Sequence, residues 1–394
     1  MKVVTTHDFC GDGTGQSGGR RQKVVRGSIV VTTFTRRAAE SGAPTGALRV
    51  VVHEGQRYAG SRILSEVTME PVVRAIDVGY GNTKYVVSAG RGPVRCAHFP
   101  SIAPVTSGRD LAAALGRQRR TVAITIGDLT YEVGPDAALA DDLAGTRHMD
   151  DDYIQSPEYL ALARGALHLM REPAIDLLVV GLPVSTFALH KTSLEKRMSG
   201  LHDVGGGRTV TVRKVRVLAQ PHGALMHFAL SGTDDFAAIK AQRHLIIDVG
   251  ARTFDWLVGQ GLKTVDKRSG AVNRGMHDVL RAFADAISKS ENTLFNDYDR
   301  IDRALRGGVP PIVFQKEYDL ERHLPAARKI VRDAVTELKR VVQDGNDIDN
   351  VLLGGGGAFF FGPVIREAFP RHTIRPLKDT LYANVIGFQL AGIE

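Results

Sequence analysis

Eight residues, Asp77-Val78-Gly79-Tyr80-Gly81-Asn82-Thr83-Lys84, have the chemistry to hold a phosphate chain. An apolar run delivers the aspartate, and glycines at 79 and 81 allow unusual dihedrals and close approach of a ligand to the backbone. A tight turn of this kind aims its N–H groups into one concavity that suits phosphate oxygens. Lys84 adds a point charge for β- and γ-phosphates, and Asp77 can hold a water of a magnesium shell. Alone, the pattern is explained as well by a strand-glycine-strand hairpin with a surface lysine. It is repeated, however, 171 residues on as Asp248-Val249-Gly250-Ala251-Arg252-Thr253-Phe254-Asp255. Here Asp248 is placed to bind magnesium through water, Thr253 to hydrogen-bond phosphate, and Gly250 and Arg252 share the turn. Asp255 falls at a strand position, where a structural role serves as well. Two such loops in one chain predict phosphate binding by Asp77, Gly79, Gly81, Asn82, Thr83 and Lys84 together with Gly250, Arg252 and Thr253.

A third signal is Gly354-Gly355-Gly356-Gly357, which follows a buried strand and precedes the apolar helix start Ala358-Phe359-Phe360-Phe361. Missing side chains leave room for a flat purine and a ribose to lie against backbone. Four glycines straight after a core strand carry a large entropic cost otherwise.

The elements that must position these residues alternate between strand and helix. Strands are predicted at 72–76 and 85–88 around the first turn, and at 245–248 and 254–258 around the second. Residues 121–133 read as a hairpin, because Gly127-Asp128 suits a tight primed turn. Ser156-Pro157-Glu158 opens a helix with an N-cap, a proline at the first position and an acid in the first turn. Its Leu160, Ala163, Leu167 and Met170 follow helical spacing. Residues 175–180 predict a buried strand, and Val210, Val212, Val215 and Val217 another, with an irregularity at Arg213-Lys214. Helix-rich sequence follows Gly275, with a helix at 326–342 and a strand at 349–353 delivering the glycine cluster. The repeated opening predicts a duplicated domain rather than a solenoid.

At 394 residues and 42.7 kDa the chain suggests two or three domains with ample core. Apolar residues at 43% and charged residues at 24% are globular values, which excludes wholesale disorder. The net charge is +8, and residues 1–70 supply half of the surplus, with ten Lys/Arg against six Asp/Glu. That balance permits an acidic partner or nucleic acid, and a solvated basic surface explains it too. Cys10 and Cys96 are too few for a disulfide framework or a zinc site. No apolar run approaches the roughly 20 residues of a membrane span, and the start has no apolar core of a signal peptide. A cytoplasmic location is expected. Residues 1–68 contain a glycine-rich run at 11–21 and strand-like pieces at 29–33 and 48–52. They read as a weakly ordered basic extension, or a product of start-site choice, as readily as a folded module.

The three motifs, in this order, resemble the actin, sugar-kinase and chaperone ATPase superfamily over residues 71–394. Within it they look like bacterial actin-like ATPases of plasmid segregation, the ParM/StbA type. The stretch 72–84, Val180-Gly181-Leu182-Pro183-Val184-Ser185 and the closing Tyr382-Ala383-Asn384-Val385-Ile386-Gly387-Phe388-Gln389 carry the likeness. The opening also resembles protein D of the PRTRC plasmid cassette. The resemblance implies an α/β, actin-like fold in which two RNase H-like domains with mixed sheets flank a nucleotide cleft. Domain I would span 69–242, with 375–394 returning to it, and domain II 243–374. It implies ATP and Mg2+ as cofactors, bound through water at Asp77 and Asp248. The implied partners are further copies in a homopolymer and a DNA-binding adaptor at a plasmid centromere, with no membrane and no need for direct DNA contact. It also assigns Gln220, with Asp248 beside it, to the attacking water. An amide is no strong base, but it can place water in line with the γ-phosphate. Segregation actins often carry glutamate there, so glutamine implies slower hydrolysis. Asn273-Arg274-Gly275-Met276-His277-Asp278 resembles a segment that contacts the nucleotide, which brings Gly275 into the site. A non-polymerising ATP switch and a small-molecule kinase on the same fold are the alternatives. A chaperone is disfavoured, because no substrate-binding domain follows the ATPase motifs.

Overall fold

The computed structural model describes residues 4–7, 29–32, 70–89, 92–106, 116, 118–140, 150–231 and 236–394. The chain divides into two units, Met1–Pro71 and Val72–Glu394. In the first, Val4–His7 pairs antiparallel with Ile29–Thr32, where the sequence predicts a strand. The glycine-rich run and the strand predicted at 48–52 lie outside the described residues.

The second unit is built on two sheets of one plan. In the first sheet, β1 (Val73–Val78), β2 (Asn82–Ser88) and β3 (Arg95–Pro100) run antiparallel in succession. The separate hairpin of β4 (Val122–Ile126) and β5 (Leu129–Val133) turns on Gly127 at φ +59°, as the Gly-Asp pair predicts. Helix α1 (Pro157–Met170) starts as expected, with Ser156 Oγ accepting from Tyr159 N at 3.1 Å. Next, β6 (Ala174–Leu182) lies parallel to β1. Helix α2 (Val184–Met198) and the edge strand β7 (Gly200–Asp203) lead to β8 (Thr209–Ala219), parallel to β6. Along β8 the alternation of buried valines changes phase at Arg213-Lys214, both exposed, where the sequence predicts an irregularity.

Helices α3 (Gln220–Leu230) and α4 (Phe236–Ala241) precede the second sheet. There β9 (Arg243–Val249) and β10 (Phe254–Gln260) form a hairpin, and β11 (Lys263–Thr264) and β12 (Gly270–Val272) pair with β10. After α5 (Met276–Glu291), α6 (Tyr298–Gly307), a small hairpin of β13 (Ile312–Val313) and β14 (Lys316–Glu317), and α7 (Leu324–Val342), strand β15 (Asn350–Gly354) lies parallel to β9. Helix α8 (Ala358–Ala368), strand β16 (Ile374–Pro376), parallel to β15, and α9 (Ala383–Ile393) follow. Each sheet is therefore a hairpin extended by parallel strands, and parallel strands need cover on both faces.

That cover comes in an exchanged form. The first sheet rests α1 on one face, through Leu162, Leu167 and Met170, while α9 covers the other by setting Val385 and Phe388 on Ala75, Val86 and Val179. The second sheet takes α5, α7 and α8 on one face, against Leu245, Ile247 and Val249. Its other face receives α3, whose Ala224 and Leu225 meet Ile246, Leu257 and Leu352. So α3, which follows the strands of the first sheet, covers the second, and α9, which follows the second, covers the first. The two helices pack on each other between the sheets.

Candidate functional site

The hairpins pair with Asp77 opposite Lys84 and Asp248 opposite Asp255. Both turns close alike: Gly79 N donates to Asn82 O at 3.2 Å, and Gly250 N to Thr253 O at 2.9 Å. They abut, since a Cβ on Gly81 would stand 2.9 Å from the Cβ of Ala251. Facing residues of a hairpin share one side of the sheet, so the seventh residue after each aspartate sets its electrostatics. Lys84 Nζ donates to Asp77 Oδ2 at 2.8 Å. Burial opposes the lysine charge, but the attraction and hydrogen bond of Asp77, with Asp248 beyond, outweigh it and hold its pKa above the ordinary value. In the second hairpin two acids face each other. Burial pushes Asp255 up to about 7, against a hydrogen bond from Thr253 and with the charges of Asp248 and Asp77 adding to the rise. Burial likewise raises Asp248, with Asp77 adding to it and Asn384 and Lys84 opposing. Asp255 Oδ1 accepts from Val184 N at 2.9 Å, which caps α2, a helix preceded by proline and without a side-chain cap of its own.

Two amides complete the arrangement. Gln220 Nε2 donates to Asp77 Oδ1 at 2.8 Å, and Asn384 Nδ2 donates to Asp248 Oδ2 at 2.7 Å. Gln220 therefore hydrogen-bonds the aspartate of the first turn, while lining the same cleft as Asp248. Helix α3 begins where β8 ends, and β8 belongs to the sheet of β1, so its first side chain reaches Asp77. Donating through Nε2 leaves Gln220 Oε1 as an acceptor, the polarity needed to orient a water proton.

A cleft of about 490 Å³ opens over these groups, within the range of small-molecule sites. Of the predicted residues, Asp77, Gly79, Gly81, Asn82, Lys84, Gln220, Asp248, Gly250, Thr253, Gly355, Gly356 and Gly357 line it. Helices α3, α5, α8 and α9 all begin on it, and helix N-termini favour anions. Four predicted residues do not line it. Thr83 is buried, its Oγ1 3.0 Å from Ser101 Oγ. Arg252 pairs with Asp151 Oδ1 at 2.8 Å and donates to the Tyr80 hydroxyl at 3.0 Å. Gly275 lies beneath the second turn, where a Cβ would meet Ala251 O at 2.4 Å, and Gly354 ends β15 opposite Asp248. The glycine cluster also has a packing cause. Gly355, at φ +86°, would put a Cβ 2.3 Å from Val249 O, and Gly357 one 2.6 Å from Val249 Cγ1. Close packing on Val249 therefore requires glycine at 355 and 357 whether or not a base lies against them.

Several lining residues have no counterpart among the predicted ones. His98 sits beside Lys84 with Nδ1 2.6 Å from the Tyr382 hydroxyl, and burial, then Lys84, lowers its pKa. From α6, Arg306 donates to Asp302 Oδ2 at 2.7 Å and to Gly356 O at 2.8 Å, which ties that helix to the glycine turn. Charges at this spacing are those of any solvated helix face, so the sequence carries no signal for them. Asn384 lies in the closing motif but without a sign of its partner.

The site also fits a magnesium ion. Asp77, Asp248 and Asp255 are nearly wholly buried, and Lys84 is the cation paired among them. No group of three or more His, Cys, Asp or Glu forms a cage among the described residues. Magnesium binds through one or two carboxylates while keeping several waters, and Asp77 and Asp248 offer that donor set.

Two like sheets exchanging their last helices, with paired glycine turns at the bottom of a cleft, define the actin-like ATPase fold. Comparisons with known proteins agree. The model of the N-terminal domain of actin like proteins matches residues 75–223, and that of the C-terminal domain of archaeal actin homologue MreB-like proteins matches 246–367. No curated protein matches the chain. Among solved structures, the ADP complex of Ta0583, an archaeal actin homologue, is 22% identical with a TM-score of 0.65, covering 81% of this chain and 98% of that one. A non-polymerisable quadruple mutant of pCBH ParM is 19% identical with a TM-score of 0.66, covering 82% and 99%. A 15-stranded ParM filament from Clostridium botulinum is 20% identical with a TM-score of 0.66, also covering 82% and 99%.

Proposed function

We propose that this chain binds Mg-ATP between its two lobes, hydrolyses it, and polymerises into dynamic filaments that segregate plasmid DNA, in the manner of the ParM/StbA type. The observation that carries the reading is the meeting of Asp77, Lys84 and Gln220 from one lobe with Asp248 from the other at the floor of one cleft. In this reading the turn amides and Lys84 hold the phosphates, and Gln220, oriented by Asp77, places the attacking water. Asp77 and Asp248 would hold a magnesium ion through water, and the ion would supply neutralisation of the phosphate charge. Polymerisation is supported by the likeness in fold to ParM, one of whose structures is a filament. Repetition of one heterologous contact without closure gives such a polymer. A DNA-binding adaptor at the plasmid centromere would connect filament to cargo, in the cytoplasm. No helix among the described residues is long and apolar enough to cross a membrane.

Electron microscopy and light scattering with ATP, ADP and a non-hydrolysable analogue, at rising protein concentration, test the reading. Filaments above a critical concentration are expected with ATP, together with phosphate release. Phosphate release without any critical concentration would leave a non-polymerising switch, and ADP formation that requires an added phosphate acceptor would make the chain a kinase. Asp248→Ala should lower phosphate release by about 10- to 100-fold, and near-normal hydrolysis in that variant would overturn the site.

A further inference from the structure

Helices α3 and α9 cross with their backbones in contact. A Cβ on Gly387 would stand 1.7 Å from Gly223 O, and one on Gly223 would stand 2.4 Å from Asn384 O. Neither position admits a side chain unless a helix moves. Each helix carries one amide in its first turn, Gln220 in α3 and Asn384 in α9, and each amide grips one cleft aspartate. The aspartates lie on different sheets, so one pinned pair of helices sets the orientation of both.

Asn384 is 7% exposed and is the only side chain that hydrogen-bonds Asp248 among the described residues. Its helix is seated on β1 and β6 of the first sheet, through Phe388 and Val385. Asp248 belongs to the second sheet and faces another acid, Asp255, across its own hairpin. Asn384 Nδ2 donates to one oxygen of Asp248, a hydrogen bond to a carboxylate that fixes the orientation of that group.

We infer that Asn384 is the positioning residue for Asp248, and that the Gly223–Gly387 crossing fixes it relative to Gln220, so that the metal-facing and water-facing groups are set by one rigid joint. The inference rests on the nucleotide reading above. Partners of this kind, which orient a group rather than touch the ligand, typically contribute 10- to 100-fold to metal affinity.

The test is the affinity of the full chain for a fluorescent ADP analogue, measured in EDTA and again with magnesium, for the wild type, Asn384→Ala and the similarly branched Asn384→Leu. Magnesium should tighten binding to the wild type. In both variants that gain should shrink by roughly 10- to 100-fold, with a smaller loss of affinity in EDTA than with magnesium. Asn384→Leu guards against a cavity effect, since it keeps the branching at Cγ while removing both polar atoms of the amide. An undiminished magnesium gain in either folded variant overturns the inference. So does an equal loss with and without magnesium, which would mark Asn384 as structural. Should the wild type bind no nucleotide in either condition, the nucleotide reading itself fails and this role falls with it.

Discussion

Between the two turns, one substitution of residue type decides the chemistry. Position seven after the aspartate is Lys84 in the first hairpin and Asp255 in the second. One hairpin thus carries a neutralised pair, and the other a carboxylate whose pKa is pushed up to about 7 by burial. The sign of the consequence follows directly. An unfolded aspartate loses its proton near pH 4, whereas folded Asp255 keeps it to about 7. Between those values the folded state binds more protons, so Asp255 makes stability fall as pH rises, by at most about 1.4 kcal/mol per pH unit. Asp255→Asn, which keeps an acceptor for Val184 N, should flatten that slope in urea unfolding of the nucleotide- and metal-free chain. An unchanged slope would mean that Asp255 ionises like an exposed acid. The residues with charge and glycine in a repeated pattern were legible in the sequence. The direction each side chain takes was not, as Thr83 and Arg252 illustrate: both belong to the loops, and both turn away from the cleft to partners far along the chain, Ser101 and Asp151.

Strands and helices were more legible than their neighbours. The apolar runs around both turns, the Ser-Pro-Glu helix start and the Gly127 hairpin all follow local rules, because each is decided by a few adjacent residues. The exchange of α3 and α9 between the sheets follows no local rule, since either helix has an apolar face that would suit either sheet. A conflict with local rules occurs at the turn joining β13 to β14. Phe314 and Gln315 adopt φ of +46° and +67°, a region that favours glycine and asparagine, and Phe314 is 55% exposed. A two-residue hairpin with both central residues left-handed prefers Asn-Gly. Replacing Phe314 by Asn and Gln315 by Gly should therefore raise stability by about 1 kcal/mol in urea unfolding. A loss of stability would show that the phenylalanine contributes packing that outweighs its strained backbone.

Within residues 72–394, the last helix couples distant parts of the chain. It both covers the first sheet and holds the aspartate of the second. A chain ended after residue 382 should lose both. Burying Val385 and Phe388 is worth roughly 1.5–3 kcal/mol each, and the uncovered Ala75, Val86 and Val179 should then bind an apolar dye and drive aggregation in size-exclusion chromatography. A monodisperse truncated chain with no dye binding would show that α9 is dispensable to the fold. The order of synthesis gives the same helix a further meaning. The strands of the first sheet are complete by residue 219, yet the helix that covers their inner face begins only at residue 383. At about 5–20 residues per second, a ribosome needs on the order of ten seconds to bridge that interval. During it the first lobe is begun but unsealed, with an apolar face open to neighbouring nascent chains, so the lobe made first is the one that must wait longest to fold.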